Sequence, residues 1–299
     1  METFWNDRRV LITGGTGFVG KHLVKALRDL SADVKSFGGD ISSYYDVDRA
    51  VKGADTVYHL AARSIVEAGE ENPYDTYKTN VVGTLNVLES VRKNNVGRII
   101  VASTSHVYGD NPSIPYLETY ALRPSRPYET SKSCADMIAQ SYRFSYGLPV
   151  IIARFVNTYG PGDLNFSRVV PLVIKSILEG KDIGIYGGNS VREYLYVEDA
   201  ISAYVALGKM DIDDKENVFN FGSGYVINVL DLAKLILNVS KVTGLKIIVT
   251  EDKRKGEVIE QKVSSQKALD LLNWKPAYSL EEGLEETYKW YKSFLAESN

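Results

Sequence analysis

Two hydrophobic rhythms alternate along the first half of this chain. Short unbroken apolar runs, such as Val10, Leu11 and Ile12, read as strands buried on both faces. Between them lie stretches with apolar residues every three or four positions. Leu23, Val24, Leu27 and Leu30 form such a stripe, predicting an amphipathic helix over Lys21 to Leu30. The pattern continues with a strand at Asp33 to Phe37, a short helix at Val47 to Val51 and a strand at Thr56 to Leu60. A long helix follows over Pro73 to Asn94, with Tyr77, Val81, Leu85, Leu88 and Val91 on its inner face. Next come a strand at Arg98 to Ala102, a helix at Tyr128 to Tyr146 and a strand at Val150 to Arg154. Strands alternating with helices predict an α/β fold, a parallel doubly wound sheet. Pro112, Pro115, Pro124 and Pro127 mark residues 110–127 as an irregular loop over the site.

Beyond Gly160-Pro161-Gly162 the rhythm loosens. Helices are expected at Val169 to Leu178, Glu198 to Gly208, Val229 to Val239, Ser265 to Leu272 and Leu280 to Phe294. Strands are expected at Ile183 to Tyr186, Asn217 to Phe221 and Leu245 to Thr250. The chain thus divides into a first domain, residues 1–160, and a smaller C-terminal α/β lobe, residues 161–299. Residues of about 190–222 are expected to return to the first domain's sheet.

Gly14, Gly17 and Gly20 stand at three-residue spacing between the first strand and the first helix. A strand, a glycine turn and a helix N-terminus are what a dinucleotide pyrophosphate needs: no Cβ to block its approach, and a helix end aimed at its charge. A turn binding nothing is the alternative, but three glycines there are costly in chain entropy. Bulk properties narrow the field. The length of 299 residues suits two domains or one large α/β unit. A net charge of -3 argues against a general nucleic-acid binder. Cys134 is the only cysteine, which excludes an intramolecular disulfide and reads as a small buried hydrophobe. No signal-peptide pattern and no long apolar run stand out, so a cytoplasmic protein without a membrane partner is expected. His22, His59 and His106 are scattered, and no metal site is expected.

Two stretches fall where chemistry is expected, at the C-terminal edge of the sheet. One is Ser103-Thr104-Ser105-His106-Val107-Tyr108-Gly109, and the other is Tyr128-Glu129-Thr130-Ser131-Lys132. Tyr128 and Lys132 lie four apart, on one face of a helix, so an ammonium can favour the phenolate of its neighbour. With a cationic nicotinamide ring nearby, Tyr128 can then act as a base, while Thr104 orients the same substrate oxygen. A solvated helix face is the alternative for this spacing taken alone.

The set as a whole resembles the extended short-chain dehydrogenase/reductase family, and within it the NAD-dependent nucleotide-sugar epimerases and dehydratases. The resemblance rests on the glycine turn, Asn80 in Asn-Val-Val-Gly-Thr, the Ser-Thr-Ser-His-Val-Tyr-Gly stretch and Tyr128-x-x-x-Lys132. It continues through Arg154-Phe-Val-Asn-Thr-Tyr-Gly-Pro, Arg192-Glu-Tyr-Leu-Tyr-Val-Glu-Asp199, Arg254-Lys-Gly-Glu257 and Leu272-Asn-Trp-Lys-Pro276. It implies a Rossmann-type sheet, NAD as cofactor and a nucleotide-diphosphate sugar as partner. Tyr128 would be the catalytic base, with Lys132 and Thr104 beside it. The cofactor would meet Gly14, Gly17, Phe18, Val19, Gly20, Asp40, Ile41, Leu60, Ala61, Ala62, Asn80, Tyr128, Lys132 and Phe155. The substrate would meet Thr104, Asn157, Val169, Tyr186, Arg192 and Arg254, the arginines holding the diphosphate. Surface ion pairs with Glu193 and Glu257 are the alternative for these arginines, and core packing is the alternative for Val169 and Tyr186. A homodimer through a four-helix bundle of residues 73 to 94 and 128 to 146 is also implied.

Three departures from the family pattern matter. The acidic residue expected at the end of the second strand is replaced by Gly38, and Asp40-Ile41 comes almost at once. The second helix is thus missing and strands two and three are nearly fused; Asp40 is left to serve ribose, adenine or a turn. No arginine follows Gly38, which favours NAD over NADP. Secondly, Ser105-His106 stands where the family's 4,6-dehydratases carry carboxylates, leaving His106 as an acid/base or a packing residue. Thirdly, the compressed second strand is shared with 4-keto-sugar reductases. The expected activity is C4 epimerisation through a 4-keto sugar; 4,6-dehydration or 4-keto-sugar reduction is the alternative.

Overall fold

The computed structural model describes residues 4–211, 217–250 and 258–297. The first strand, β1 (Arg9–Thr13), runs through the glycine turn into α1 (Phe18–Asp29), followed by β2 (Asp33–Ser36), α2 (Tyr44–Val51) and β3 (Thr56–His59). Then come α3 (Val66–Glu71), α4 (Pro73–Tyr77), a π turn (Lys78–Val82), α5 (Gly83–Lys93), β4 (Ile99–Thr104) and a 3-10 turn (Ser105–Tyr108). The chain continues with α6 (Pro127–Tyr146), β5 (Val150–Phe155), β6 (Asn157–Tyr159), α7 (Val169–Leu178), β7 (Ile183–Tyr186), β8 (Val191–Tyr196) and α8 (Val197–Lys209). It closes with β9 (Val218–Phe221), β10 (Val226–Asn228), α9 (Val229–Ser240), β11 (Ile247–Thr250), α10 (Gln266–Leu272) and α11 (Leu280–Glu297).

Six strands form one parallel sheet in the order β2-β1-β3-β4-β5-β9. The strand order reverses beside β1, so the glycine turn opens at the crevice where such sheets bind ligands. Both faces are covered. Val10 and Ile12 pack in one apolar cluster with Ile100 and Ala153, while Leu11 packs in the other with Ile99, Val101 and Ile152. This two-sided burial is why the apolar runs show no alternation. β2 is one of the two edge strands, and the chain passes from it to Asp40 without a helix.

The expected inner face of the long helix is corrected by the π turn. Its wider turn adds a residue to the register, so Leu88 and Val91 are buried but Leu85 is exposed and Tyr77 and Val81 are only half-buried. Thr76, Asn80, Thr84 and Val87 take the inner positions instead. Periodicity also missed α3 and the small sheet β10-β8-β6. β6 and β10 hold three residues each, too few for a period to show. The loop of residues 110–127 does not roof the site. It docks sideways, with buried Tyr116 bonded through its backbone to Lys262 and Ser264, and of its non-helical residues only Arg126 reaches the cavity. Cys134 is half-buried rather than buried. No helix among the described residues is long and apolar enough to cross a membrane.

One histidine ties the N-terminal sheet to the later elements. His22 on α1 lies 2.9 Å from the Glu198 carboxylate through Nδ1 and 2.8 Å from the Pro161 carbonyl through Nε2. Both partners are acceptors, so the imidazolium can donate to both and the neutral ring to only one. Burial pulls the His22 pKa down, but the Glu198 bond, the Pro161 carbonyl and the Glu198 charge outweigh it and leave the pKa raised. A raised folded pKa stabilises fully below the unfolded value of about 6.5, and that contribution is lost as pH rises through the folded value. Urea midpoints of the chain should therefore fall more steeply above about pH 6.5 than those of a His22→Asn variant. Parallel curves would remove this role.

Candidate active site

A cavity of about 900 Å³ opens along the C-terminal edge of the sheet, from the glycine turn at one end to Tyr186 and Arg192 at the other. That volume is at the upper end of the roughly 300–1,000 Å³ typical of small-molecule sites. The expected residues Gly14, Gly17, Phe18, Val19, Gly20, Asp40, Ile41, Leu60, Ala61, Ala62 and Phe155 all line its first part.

The residues at this end fit a dinucleotide. Gly14 has φ +74°, and a Cβ there would come within 2.7 Å of the Ala61 backbone nitrogen. A Cβ at Gly20 would overlap the Gly14 carbonyl oxygen, so the turn closes only with glycine at both positions. Gly17 is the N-cap of α1 and supplies no side-chain cap, which leaves the first N–H groups of the helix for a phosphate. Asp40 is exposed on the cavity wall, and its carboxylate accepts hydrogen bonds from the Ser42 backbone and hydroxyl, which hold it below its usual pKa. Ile41 is buried and held by the Asn86 amide, which donates to its carbonyl.

Asn80 does not line the cavity. Its carboxamide accepts from the Arg63 N–H (2.8 Å) and donates to the Arg63 carbonyl (3.0 Å) and the Ser131 hydroxyl (2.9 Å). Both of its donors and its oxygen go into bracing the loop after β3 against α6, so it shapes the wall from behind.

In the middle of the cavity Thr104, Tyr128 and Lys132 converge from two elements, the end of β4 and the first turns of α6. The start of α6 is set by Pro127 and by the Glu129 carboxylate, which accepts from the backbone N–H of Ser125 and Arg126. Tyr128 is buried and hydrogen-bonded to Thr104. Burial pushes its phenol pKa up, against the charge of Arg168 and the Thr104 bond, while Glu129 pushes it further up. Burial also pulls the Lys132 ammonium down to about 8, with Asp136 opposing. Lys132 is turned onto the Ala102 carbonyl. Among the groups that favour the phenolate Arg168 comes first, but burial outweighs them.

His106 lines the cavity edge-on to Tyr128, with ring centres 6.3 Å apart. Its Nδ1 lies 3.8 Å from the Glu129 carboxylate and its Nε2 lies 3.5 Å from Asn157 Oδ1. It is thus a wall residue backed by a buried carboxylate, not packing. Thr104, Asn157, Val169, Tyr186 and Arg192 all line the cavity, whereas Arg254 lies outside the described residues. Tyr186 is more than half exposed at the far end. Arg192 donates to the Val191 and Ile259 carbonyls. Also on the wall is Asn165, whose amide nitrogen is buried with no hydrogen-bond partner among the described residues. Among those residues no cluster of His, Cys, Asp or Glu has the arrangement of a metal site.

Known proteins agree with this architecture. The family model for the NAD dependent epimerase/dehydratase family matches residues 10–222. The chain is 31% identical to a dTDP-glucose 4,6-dehydratase of Shigella flexneri, over 97% of this chain and 94% of that protein. The structure of a UDP-glucose 4-epimerase of Thermotoga maritima, solved with UDP-glucose, superposes with a TM-score of 0.90 at 30% identity, covering 96% of this chain and 99% of that one. A dTDP-glucose 4,6-dehydratase of Streptomyces venezuelae, solved with NAD bound, superposes with a TM-score of 0.86 at 27% identity, over 95% and 97% of the two chains. With its glycine cradle intact and most of its length matched, the chain is a Rossmann-type, NAD-dependent member of the NAD dependent epimerase/dehydratase family.

Proposed function

We propose that the enzyme is a nucleotide-sugar C4-epimerase that works through a transient 4-keto sugar. NAD, when bound, supplies the acceptor and donor of hydride at C4. Tyr128 takes the proton of the C4 hydroxyl and later returns it, and Thr104, bonded to Tyr128, orients the oxygen. Lys132 holds the nicotinamide ribose. Asn157, Val169, Tyr186 and Arg192, with Arg254, bind the nucleotide diphosphate, the arginines by charge-assisted hydrogen bonds. In this reading residues 1–160, with about 190–222 returning, hold the dinucleotide and the rest of 161–299 holds the sugar nucleotide.

The observation that carries epimerisation over 4,6-dehydration is the pair of residues after Thr104. Ser105 is buried, His106 faces the cavity, and neither is the carboxylate that loss of water across C5 and C6 would employ. Dehydration is the second reading because His106, backed by Glu129, is an acid/base pair on the same wall. Denaturing the purified protein, identifying what it releases, and then offering it UDP-glucose and dTDP-glucose separately tests the choice. Released NAD with a C4 epimer as product supports the proposal. A 4-keto-6-deoxy product replaces it with the dehydratase, and an empty protein that consumes external NADH or NADPH replaces it with the reductase.

The reading includes a homodimer in which two helical stretches of each copy, α4 through the π turn to α5 and α6, form a four-helix bundle. Tyr74, Leu85, Met137 and Phe144 on the helices and Val82 on the π turn are exposed, an apolar surface that solvation does not favour. Light scattering should give twice the chain mass, and a monomer mass at all concentrations would exclude it.

A further inference from the structure

His59 ends β3, directly before the cavity-wall residues Leu60, Ala61 and Ala62, and does not itself line the cavity. Its ring is buried, and both nitrogens meet hydroxyls. Nδ1 lies 2.7 Å from Thr13 Oγ1, and Nε2 lies 2.9 Å from Thr84 Oγ1. Burial, with the charge of Lys132, pulls the His59 pKa down to about 3, so the ring is neutral and carries one N–H.

The neighbours decide which nitrogen holds that proton. The Thr84 hydroxyl donates to the Asn80 carbonyl at 2.6 Å, so towards His59 it accepts, and Nε2 is the donor. Nδ1 then accepts from the Thr13 hydroxyl, whose oxygen accepts in turn from the Ala61 backbone N–H at 3.2 Å. All the donors point one way, from Ala61 through Thr13 and His59 to Thr84 and Asn80. At the Asn80 end the carboxamide clasps Arg63 and the Ser131 hydroxyl, which donates to the Tyr128 carbonyl at 2.7 Å. At the Thr13 end the Leu60 N–H bonds the Thr13 carbonyl at 3.0 Å. Gly14, next in the chain, packs so closely on Ala61 that a Cβ has no room.

We propose that His59 is a positioning residue for the dinucleotide: bonded to Thr13 on one side and Thr84 on the other, it fixes the wall of residues 60–63 against the glycine turn before NAD arrives. A wall already in place needs no ordering on binding, which is where a preorganised site gains affinity. A neutral imidazole suits the role because it offers one donor and one acceptor on opposite edges of a rigid ring. The inference concerns the cofactor seat and holds for epimerisation, dehydration or reduction alike.

Thr84→Val breaks the chain on the side away from the cofactor, at a buried residue that lines no part of the cavity, and nearly keeps the side chain's shape. Calorimetric titration with NAD, on chain freed of bound nucleotide, should show affinity about tenfold weaker, because a buried donor is left unpaired. Thr84→Ser, which keeps the hydroxyl, should restore it. His59→Asn keeps an acceptor for Thr13 but loses the donor to Thr84, so it should weaken NAD binding to the same degree. A lowered urea midpoint with unchanged NAD affinity in either weakened variant would mean a purely structural bond and overturn the proposal. Failure of Thr84→Ser to restore binding would do the same. Imidazole 15N NMR of the unmodified chain gives a second readout that does not depend on the variants folding. The buried ring should stay neutral with its proton on Nε2 from about pH 5 to 8. A proton on Nδ1, or a ring that titrates in that range, overturns the proposal.

Discussion

Tyr128→Phe is expected to lower turnover by about 10²–10⁴-fold, the usual contribution of a positioned general acid/base. The change removes one oxygen from a buried ring that packs on Gly69 and stands edge-on to His106. The hydroxyl's partner is Thr104, which lines the cavity and whose Oγ1 keeps its bond from the His106 backbone N–H. Stability and retention of NAD should therefore stay near those of the unmodified chain, and the loss should fall on kcat. Kinetics on the variant, with the released cofactor quantified, checks this. Activity within a few-fold of the unmodified chain would sink every reading in which Tyr128 moves the proton.

Asp136→Asn is expected to cost about 3–5 kcal/mol of stability, the range for breaking a buried ion pair from one side. Asp136 and Arg154 are almost wholly shielded from solvent, with 0% and 2% of their side chains exposed. Two bonds of 2.9 Å join them, and Ser103 donates to the same carboxylate at 2.7 Å. Burial disfavours the Arg154 charge and Asp136, with Tyr108, outweighs it; because a guanidinium does not deprotonate in proteins, the arginine stays charged when the Asp136 charge is removed. The remaining guanidinium bonds, to the Tyr108 hydroxyl and the Glu118 carbonyl, carry no counter-charge. Urea unfolding measures the loss. A cost below about 1 kcal/mol would place the pair with weakly coupled surface bridges instead. Replacing both partners with apolar residues of similar volume should restore much of the stability.

The network lies directly under the chemistry. Ser103 precedes Thr104, and Asp136 comes one helical turn after Lys132, so the ion pair joins β4, α6 and β5 beneath the reacting groups. In the sequence Arg154 belongs to a motif, but Asp136 is one acid among many. Their pairing depends on the parallel register that sets Ser103 beside Arg154.

The parallel sheet, the glycine cradle and the Thr104, Tyr128 and Lys132 group were legible in the sequence. Each is written locally: a buried parallel strand needs an unbroken apolar run, a tight phosphate turn needs glycine, and residues four apart on a helix share a face. Tertiary structure alone decided what depends on distant segments. It turned Asn80 away from the cavity to brace a loop, moved the inner face of the long helix by a π turn, and laid the proline-rich loop beside the site. It also brought Arg168, forty residues after Tyr128, onto the wall of the same cavity, whereas Lys132, its helical neighbour, faces a backbone carbonyl. Periodicity tells a side chain which face to occupy, but the charges that face meets come from whichever strands and helices close over it.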